Sequence, residues 1–242
     1  MTTFGKEIYH LNCVDSTNNF AANLISDHIC QSGAVIMADV QTAGKGQMGN
    51  TWESAEACNL LCSLVWKPDN LSVDDQFKLS WMTSLVLCKL LMRFGINAKI
   101  KWPNDIYVGK QKIAGMLIEN QIEGNRISWV IAGIGLNVNQ QAFESKSAVS
   151  MLHFLGVNIK LKTVLSELMD LMNGFLQNWE NLHENWKKEV EDNLYQLGIS
   201  AHYKDKNGMF VGTIRGITKD GKLELHVENE IRTYSLKEIE FC

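Results

Sequence analysis

The sequence lacks the features of a secreted or membrane protein. None of its apolar stretches approaches the roughly 18–20 residues that span a bilayer, and residues 1–11 do not form a signal-peptide core. It also lacks a basic run, because 23 Lys and Arg stand against 27 Asp and Glu, a formal net charge of −4. General nucleic-acid binding is therefore disfavoured, although one local anion site is not. We expect a cytoplasmic protein that binds neither membranes nor DNA.

Cysteine and histidine patterns typical of metal sites are absent as well. The six cysteines include no C-x-x-C pair, and none of the six histidines pairs with a cysteine or another histidine at metal-ligand spacing. We therefore assign no structural zinc. Four cysteines lie in apolar runs and are expected to be small buried hydrophobes with reduced thiols, namely Cys13, Cys58, Cys62 and Cys88.

Prolines are few, and the 18 glycines punctuate the chain instead. Apolar runs and alternation predict strands over residues 7–14, 34–40, 60–66, 96–102, 113–119 and 127–138. A helix start signal follows Asp15, and Ser72 with Asp75 resembles the capping box of a second helix, which Gly95 ends.

The second half of the sequence predicts a long helix and then a small separate unit. An apolar stripe at helical spacing runs from Leu161 to Trp186, through Trp179 and Leu182, and predicts one long helix packed on the core. From residue 199 onward, short alternating stretches separated by turn signals predict a small antiparallel β-barrel of about 45 residues. We therefore divide the chain into residues 1–196 and residues 197–242.

Residues 44–49, GKGQMG, match the G-x-G-x-x-G pattern and follow a predicted strand. A dinucleotide site also needs a helix that opens at the third glycine. Here the chain runs through Asn50 and Trp52 towards another strand, so that interpretation is disfavoured. Two alternatives stay open: a mobile loop whose backbone N–H groups close on an anion, and an ordinary surface loop.

Residues 101–105, KWPND, place a cation, an amide and a carboxylate around a rigid X-Pro turn. The turn at Gly109 returns the chain antiparallel, so we expect Lys112 to lie near Lys101 and Asp105. A carboxylate between two lysines could hold a metal or simply pair with them. Plain turn chemistry would also explain an Asn-Asp pair after proline.

Two further segments are less specific. Gly133 and Gly135 interrupt an apolar strand ahead of Asn137, which suggests close approach of a ligand or of another backbone, and a bulge explains them equally well. Residues 16–18, Ser-Thr-Asn, could be a binding cluster or only a helix cap.

Taken together and in this order, these segments resemble biotin protein ligases. The string K-W-P-N-D followed by K-[LI]-A-G, which Lys112 opens here, is specific to that family, and the S-T-N, Q-x-A-G-x-G and G-x-G-x-N pieces occur in the same order. The resemblance implies an α+β catalytic domain over residues 1–196, with a mixed or antiparallel sheet flanked by helices, like that of class II aminoacyl-tRNA synthetases. It implies an SH3-like β-barrel over residues 197–242. Only 15 residues precede Ser16, so the ligase-only form without an N-terminal DNA-binding domain is expected.

The resemblance implies a two-step reaction with ATP and biotin as substrates. Biotin and ATP give biotinyl-5′-AMP and pyrophosphate, and the biotinyl group then passes to one lysine of a biotin carboxyl carrier protein, such as that of acetyl-CoA carboxylase. Two anions must meet in the first step, so fixed positive charge and positioning carry the catalysis. Mg²⁺ neutralises the pyrophosphate oxygens.

The resemblance also implies residue roles. The catalytic residues are Lys112, Lys45 and Asp105. The biotin-binding residues are Ser16, Thr17, Asn18, Gln41, Lys45, Gly46, Gln47, Lys112 and Gly115. The ATP-binding residues are Trp52, Lys101, Asn104 and Asn137. Asp105 is the one candidate protein ligand for Mg²⁺, which the phosphates of ATP would otherwise hold.

One departure from the family pattern affects the glycine loop. Many members carry G-R-G-R-R-G, whereas this chain has Lys45, Gln47 and Met48 in place of the three arginines. Lys and Gln do not replace the bidentate phosphate contacts of Arg. We therefore expect weaker retention of the adenylate than in arginine-rich relatives.

Other interpretations remain. A lipoate ligase shares the adenylation chemistry, although the polar S-T-N cluster suits a ureido ring better than an aliphatic dithiolane tail. A biotin-sensing DNA binder and a binding module without catalysis are the rivals from other classes. The sequence is compatible with a homodimer.

Overall fold

In the computed structural model, which describes residues 2–177 and 183–242, a seven-stranded sheet forms the centre of the larger part of the chain. Its strands are β1 (Glu7–Val14), β2 (Ala34–Gln41), β3 (Leu60–Trp66), β4 (Lys99–Lys101), β5 (Asp105–Val108), β6 (Gln111–Glu123) and β7 (Arg126–Leu136). They lie in the order β1-β2-β3-β7-β6-β5-β4, with β1 parallel to β2 and the other neighbours antiparallel. The expected mixed sheet is confirmed.

Helices cover both faces of this sheet. They are α1 (Thr17–Ser26), α2 (Phe77–Arg93), α3 (Met151–Leu155), α4 (Leu161–Gln177) and α5 (His183–Asp192), and residues Gln47–Gly49 and Val73–Asp75 form short 3₁₀ turns. Helix α1 packs its apolar face with Ile36, Val65 and Ile131 in a small cluster. Helices α2 and α4 belong to the main core, which includes the residues of β2, β3 and β7 that point to the other face.

The helix predictions need two comments. The predicted capping box at Ser72 instead caps the second 3₁₀ turn, Val73–Asp75, because the Ser72 hydroxyl accepts from the Asp74 N–H at 3.3 Å and α2 begins at Phe77. Where α4 and α5 are described, the stripe from Leu161 onward packs on the core as predicted, although Leu161 itself and Leu171 are only partly buried. Trp179 and Leu182 lie outside the described residues.

A second sheet follows at the C-terminus. Its strands are β8 (Ser200–Asp205), β9 (Gly208–Ile217), β10 (Leu223–Val227), β11 (Glu230–Tyr234) and β12 (Glu240–Phe241), in the order β11-β10-β9-β8-β12. The sequence did not predict β8 or β12. Among the strands described, β11 and β12 are not paired with each other, so closure into a barrel is not seen. Trp102 Nε1 donates to the Gly221 carbonyl at 3.0 Å and joins this sheet to the larger one.

The cysteine predictions hold in part. All six thiols are free, and Cys62 and Cys88 are buried. Cys13 is exposed, so the prediction that it is buried was wrong: β1 is an edge strand, and none of its residues is fully buried. Cys58 is only partly buried. None of the described helices is long and apolar enough to cross a membrane.

Candidate active site

A cavity of about 250 Å³ lies on the α1 face of the large sheet, between the start of α1, the glycine loop and strands β6 and β7. The site residues implied by the sequence line it, apart from Lys101 and Asn137. Those that do are Ser16, Thr17, Asn18, Gln41, Lys45, Gly46, Gln47, Trp52, Asn104, Asp105, Lys112 and Gly115. The fold thus brings together segments that are more than one hundred residues apart in the chain.

One end of the cavity is neutral and densely hydrogen-bonded. Gln41 Oε1 accepts from the Thr17 backbone N–H at 2.8 Å and from the Thr17 hydroxyl at 3.1 Å. The fully buried Ser63 hydroxyl lies 2.8 Å from Thr17 Oγ1 and 2.6 Å from Asn18 Oδ1. Sequence reasoning missed Ser63, whose only signal is a hydroxyl inside the otherwise apolar strand β3. Ser16 occupies the N-cap position of α1, but its side chain makes no capping hydrogen bond, so helix capping does not explain a serine at this position.

The amide of Asn18 is fixed from both sides. Asn18 Nδ2 donates to Glu119 Oε2 at 2.7 Å and to the Leu117 carbonyl at 3.2 Å, so both of its donors are used. On the sheet beneath it, a Cβ on Gly133 would lie 2.4 Å from Asn18 Oδ1, far inside contact distance. The glycine at position 133 therefore makes room for a side chain of the site, and not for another backbone.

Gly135 plays the same part for Trp52. Gly115 and Gly135 are cross-strand partners in β6 and β7. A Cβ on Gly135 would lie 2.4 Å from Trp52 Cε2, and one on Gly115 would lie 3.0 Å from Trp52 Cζ3. The nearest register shift between these strands is at Gln121/Ile122, so the alternative of a bulge at the glycines is wrong. The Trp52 indole nitrogen is buried with no hydrogen-bond partner among the described residues.

The other end of the cavity is charged. Lys112 Nζ lies 2.7 Å from Asp105 Oδ1, which confirms the predicted proximity, and 5.3 Å from the centroid of the Trp52 ring. Lys101 is the cross-strand partner of Asp105, but its ammonium points to Tyr107, 3.2 Å from the hydroxyl and 4.5 Å from the ring centroid. Burial, and then the negative charge of Asp105, raise the pKa of Tyr107.

The glycine loop folds back on itself without starting an α-helix. Gly46 N–H donates to the Asn50 carbonyl at 2.7 Å, and Lys45 forms an isolated antiparallel bridge with Thr51. The argument against a dinucleotide fingerprint is therefore confirmed. The Lys45 ammonium donates to Asn19 Oδ1 at 2.5 Å and lies 3.9 Å from Glu119 Oε1.

Two amides flank the cavity. Asn104, which lines it, donates to the Met116 carbonyl at 2.6 Å. Asn137 lies outside the lining and donates through Nδ2 to the Val149 carbonyl at 3.1 Å. Asn137 Oδ1 is buried and has no hydrogen-bond partner among the described residues, so one strong acceptor is left over.

Comparison with known proteins decides the family. The sequence profile described as "Biotin/lipoate A/B protein ligase family" matches residues 10–137. The chain belongs to this family. The chain is 30% identical over 241 residues to the bifunctional ligase/repressor BirA of Bacillus subtilis, covering 96% of this chain and 73% of that protein. It is 26% identical over 201 residues to the biotin–[acetyl-CoA-carboxylase] ligase of Mycobacterium tuberculosis, covering 81% of this chain and 74% of that one.

The solved structures agree. The biotin protein ligase of Aquifex aeolicus, in complex with biotin and ATP, superposes with a TM-score of 0.79 at 25% identity and covers 98% of each chain. Within the family, the named relatives and this fold favour a biotin ligase over a lipoate ligase. The chain is thus a ligase with the biotin-ligase fold that its motifs implied.

Proposed function

We propose that this ligase activates biotin as biotinyl-5′-AMP in the cavity described above and transfers it to a lysine of a biotin carboxyl carrier protein. One observation carries the proposal: a single cavity has a neutral, hydrogen-bonded end at Asn18 and a cationic end at Lys112. Biotin itself has a neutral ureido ring at one end and a carboxylate at the other. The two ends of the cavity therefore match the two ends of the substrate.

In the first step, a biotin carboxylate oxygen attacks the α-phosphorus of ATP and pyrophosphate leaves. Both partners are anionic, so their encounter needs a fixed cation between them. Lys112 would be that cation: it lies on strand β6, and Asp105 holds its ammonium from one side. In the second step, the lysine amine of the carrier attacks the acyl carbon and AMP leaves.

The residues at the neutral end, which would bind biotin, already make most of their possible hydrogen bonds within the protein. Since Asn18 uses both donors within the protein, only its Oδ1 has capacity left, and it would accept from a ureido N–H. Ser16, Thr17 and Gln41 would supply the remaining polar contacts. Gly115 would keep the strand close to the ring.

At the nucleotide end, Trp52 would lie against the adenine, and Asn104 would lie near the phosphates. Asn137 Oδ1, which has no hydrogen-bond partner in the part of the chain that the structure describes, would accept from the exocyclic amine of adenine. Lys101 is held by Tyr107 and would have to rotate away from it to reach a phosphate.

Magnesium would arrive with the nucleotide. Asp105 is the one carboxylate among the described residues that line the cavity, and it is already paired with Lys112. Such a site can supply a single carboxylate ligand, which suits an ion held mainly by phosphate oxygens. The ion would neutralise the leaving pyrophosphate.

The partner assignment has separate support. The relative from Mycobacterium tuberculosis is named for acetyl-CoA carboxylase. The small C-terminal sheet adjoins the larger one near Trp102, and we assign it a role in packing and in docking the acceptor. The division at residues 196 and 197 belongs to the same proposal.

Pyrophosphate exchange tests the activity. Wild-type protein with biotin, ATP and Mg²⁺ should exchange labelled pyrophosphate into ATP, and lipoate in place of biotin should not support exchange. Lys112→Ala should abolish exchange while melting normally. Lys110→Ala, which removes an exposed lysine two residues away, is the matched control. Exchange with lipoate alone, or full exchange by Lys112→Ala, would contradict the proposal.

A further inference from the structure

Glu119 lies on strand β6, on the same face as Gly115, but outside the lining of the cavity. Its two carboxylate oxygens have different partners. Oε2 accepts from Asn18 Nδ2 at 2.7 Å, and Oε1 lies 3.9 Å from the ammonium of Lys45. One side chain therefore contacts both the neutral end of the cavity and the glycine loop.

The contact with Asn18 fixes which way its amide points. Glu119 Oε2 and the Leu117 carbonyl are both acceptors, so the atom of the Asn18 amide that faces them must be the donor, Nδ2. The opposite orientation would place Oδ1 against two acceptors, while the buried Ser63 hydroxyl lies 2.6 Å from the other position. Glu119 thereby keeps Asn18 Oδ1 on the side of the cavity and of Gly133.

The contact with Lys45 anchors the loop. Lys45 is the only lysine or arginine between residues 41 and 66. It is therefore the one side chain of the loop that can form an ion pair with a carboxylate elsewhere in the protein. Asn19 Oδ1 accepts from the same ammonium at 2.5 Å. The Lys45 and Glu119 side chains are 43% and 42% exposed, so solvent screens the pair and its effect is modest.

We propose that Glu119 is a positioning residue that sets the amide orientation of Asn18 and, through Lys45, holds the glycine loop over the cavity. The proposal rests on the proposed function, in which Asn18 binds biotin and the loop covers the adenylate. Because the two contacts use different oxygens, they can be separated by substitution.

Glu119→Gln keeps an oxygen that can accept from Asn18 but removes the charge that attracts Lys45. We expect a biotin KM within about twofold of wild type, and release of biotinyl-AMP accelerated by about two- to fivefold. Trypsin cleavage after Lys45 in the unliganded protein should accelerate by a similar factor. Glu119→Ala loses both contacts, and its biotin KM should rise by about tenfold as well.

Glu123→Gln is the matched control, since it removes the same charge from an exposed position on the same strand. Equal adenylate release and equal trypsin cleavage in Glu119→Gln and Glu123→Gln would overturn the tie to the loop. An unchanged biotin KM in Glu119→Ala would overturn the orientation of Asn18.

A double-mutant cycle gives a second test. If Glu119 acts on the loop through Lys45, adding Glu119→Gln to Lys45→Met should not accelerate adenylate release further. Full additivity would contradict the proposal. Wild-type protein that forms no biotinyl-AMP would instead refute the proposed function, and the trypsin comparison would still decide whether Glu119 holds the loop.

Discussion

The neutral end of the cavity and the glycine loop beside it are built in opposite ways. At the neutral end, Thr17, Asn18 and Ser63 are buried and hydrogen-bonded to one another before any substrate binds. In the glycine loop, Lys45 is 43% exposed, and among the described residues its ammonium hydrogen-bonds the side chain of Asn19. A neutral ring is recognised by donors and acceptors already aligned, whereas a site for ATP has to open. The rigid end should therefore tolerate substitution far less than the loop.

Gly135→Ala should have the largest effect. The new Cβ would lie 2.4 Å from the Trp52 ring, against a strand that cannot move away because it pairs on both sides. The ring must shift, and we expect kcat/KM for adenylation to fall by about 100-fold, about 2.7 kcal/mol. Pyrophosphate exchange measures this.

Gly174→Ala provides the contrast for that substitution. It adds a Cβ in the last turn of α4, with nothing within 4 Å among the described residues, so it should leave activity unchanged and raise stability by about 0.4–1 kcal/mol. Wild-type exchange by Gly135→Ala would show that Trp52 is not held where the structure places it. The nucleotide end would then be less rigid than the packing of the ring against Gly135 suggests.

Ser63→Ala tests the hydrogen bonds of Ser63 to Thr17 and Asn18 with a smaller change. Removing the hydroxyl leaves Thr17 Oγ1 and Asn18 Oδ1 without their shared partner, which should cost about 1–3 kcal/mol of unfolding free energy. We expect the KM for biotin to rise about tenfold while the KM for ATP stays near wild type. Denaturant unfolding and exchange kinetics measure the two effects.

Thr83→Val controls for the loss of a buried hydroxyl. Thr83 is fully buried in α2, where its hydroxyl donates to the Leu79 carbonyl at 2.8 Å, away from the cavity. It should lose stability without any change in the KM for biotin. Equal KM values for biotin in Ser63→Ala and wild type would mean that the Ser63 hydroxyl stabilises the fold but does not contribute to substrate recognition.

The same contrast explains what the sequence could predict. Strand β3 was predicted with its observed bounds because a run that is apolar at every position except Ser63 leaves little choice. The cavity residues came from short motifs, which report local chemistry. Ser63 and Glu119 were missed because their roles arise only when β3 and β6 lie beside the start of α1, and nothing in their own neighbourhoods signals this. Likewise, the glycines at 133 and 135 indicated close approach, but only the fold shows that side chains approach them.

Gln47→Arg tests the charge of the glycine loop. A second cation near Lys45 would restore part of the arginine-rich pattern and add a fork that can bind phosphate oxygens. We expect release of biotinyl-AMP to slow by about three- to tenfold, with the biotin KM almost unchanged. Trapping the adenylate and timing its loss measures this, with Gln47→Met as the neutral control. Equal release from all three proteins would mean that loop charge does not govern retention.

The smallest effect concerns two buried thiols, both of which belong to the main core on the α2 face of the sheet. Burial raises the pKa of Cys62, next to Ser63 on β3, and of Cys88 in α2 to about 12, from an ordinary value of 9.0. The folded protein therefore keeps protons that the unfolded chain loses above about pH 9. Stability should be independent of these thiols below that pH and fall above it, by at most about 1.4 kcal/mol per pH unit for each thiol.

Urea unfolding between pH 8 and 10.5 measures that slope, and Cys62→Ala should make it shallower whereas Cys242→Ser, at an exposed position, should not. At pH 8 a thiol reagent should modify Cys13 and Cys242 quickly and Cys62 only on unfolding. Rapid labelling of Cys62 in the folded protein would show that strand β3 opens beneath Thr17 and Asn18. The neutral end would then be as mobile as the glycine loop, and the difference between the neutral end and the loop would have to come from charge alone.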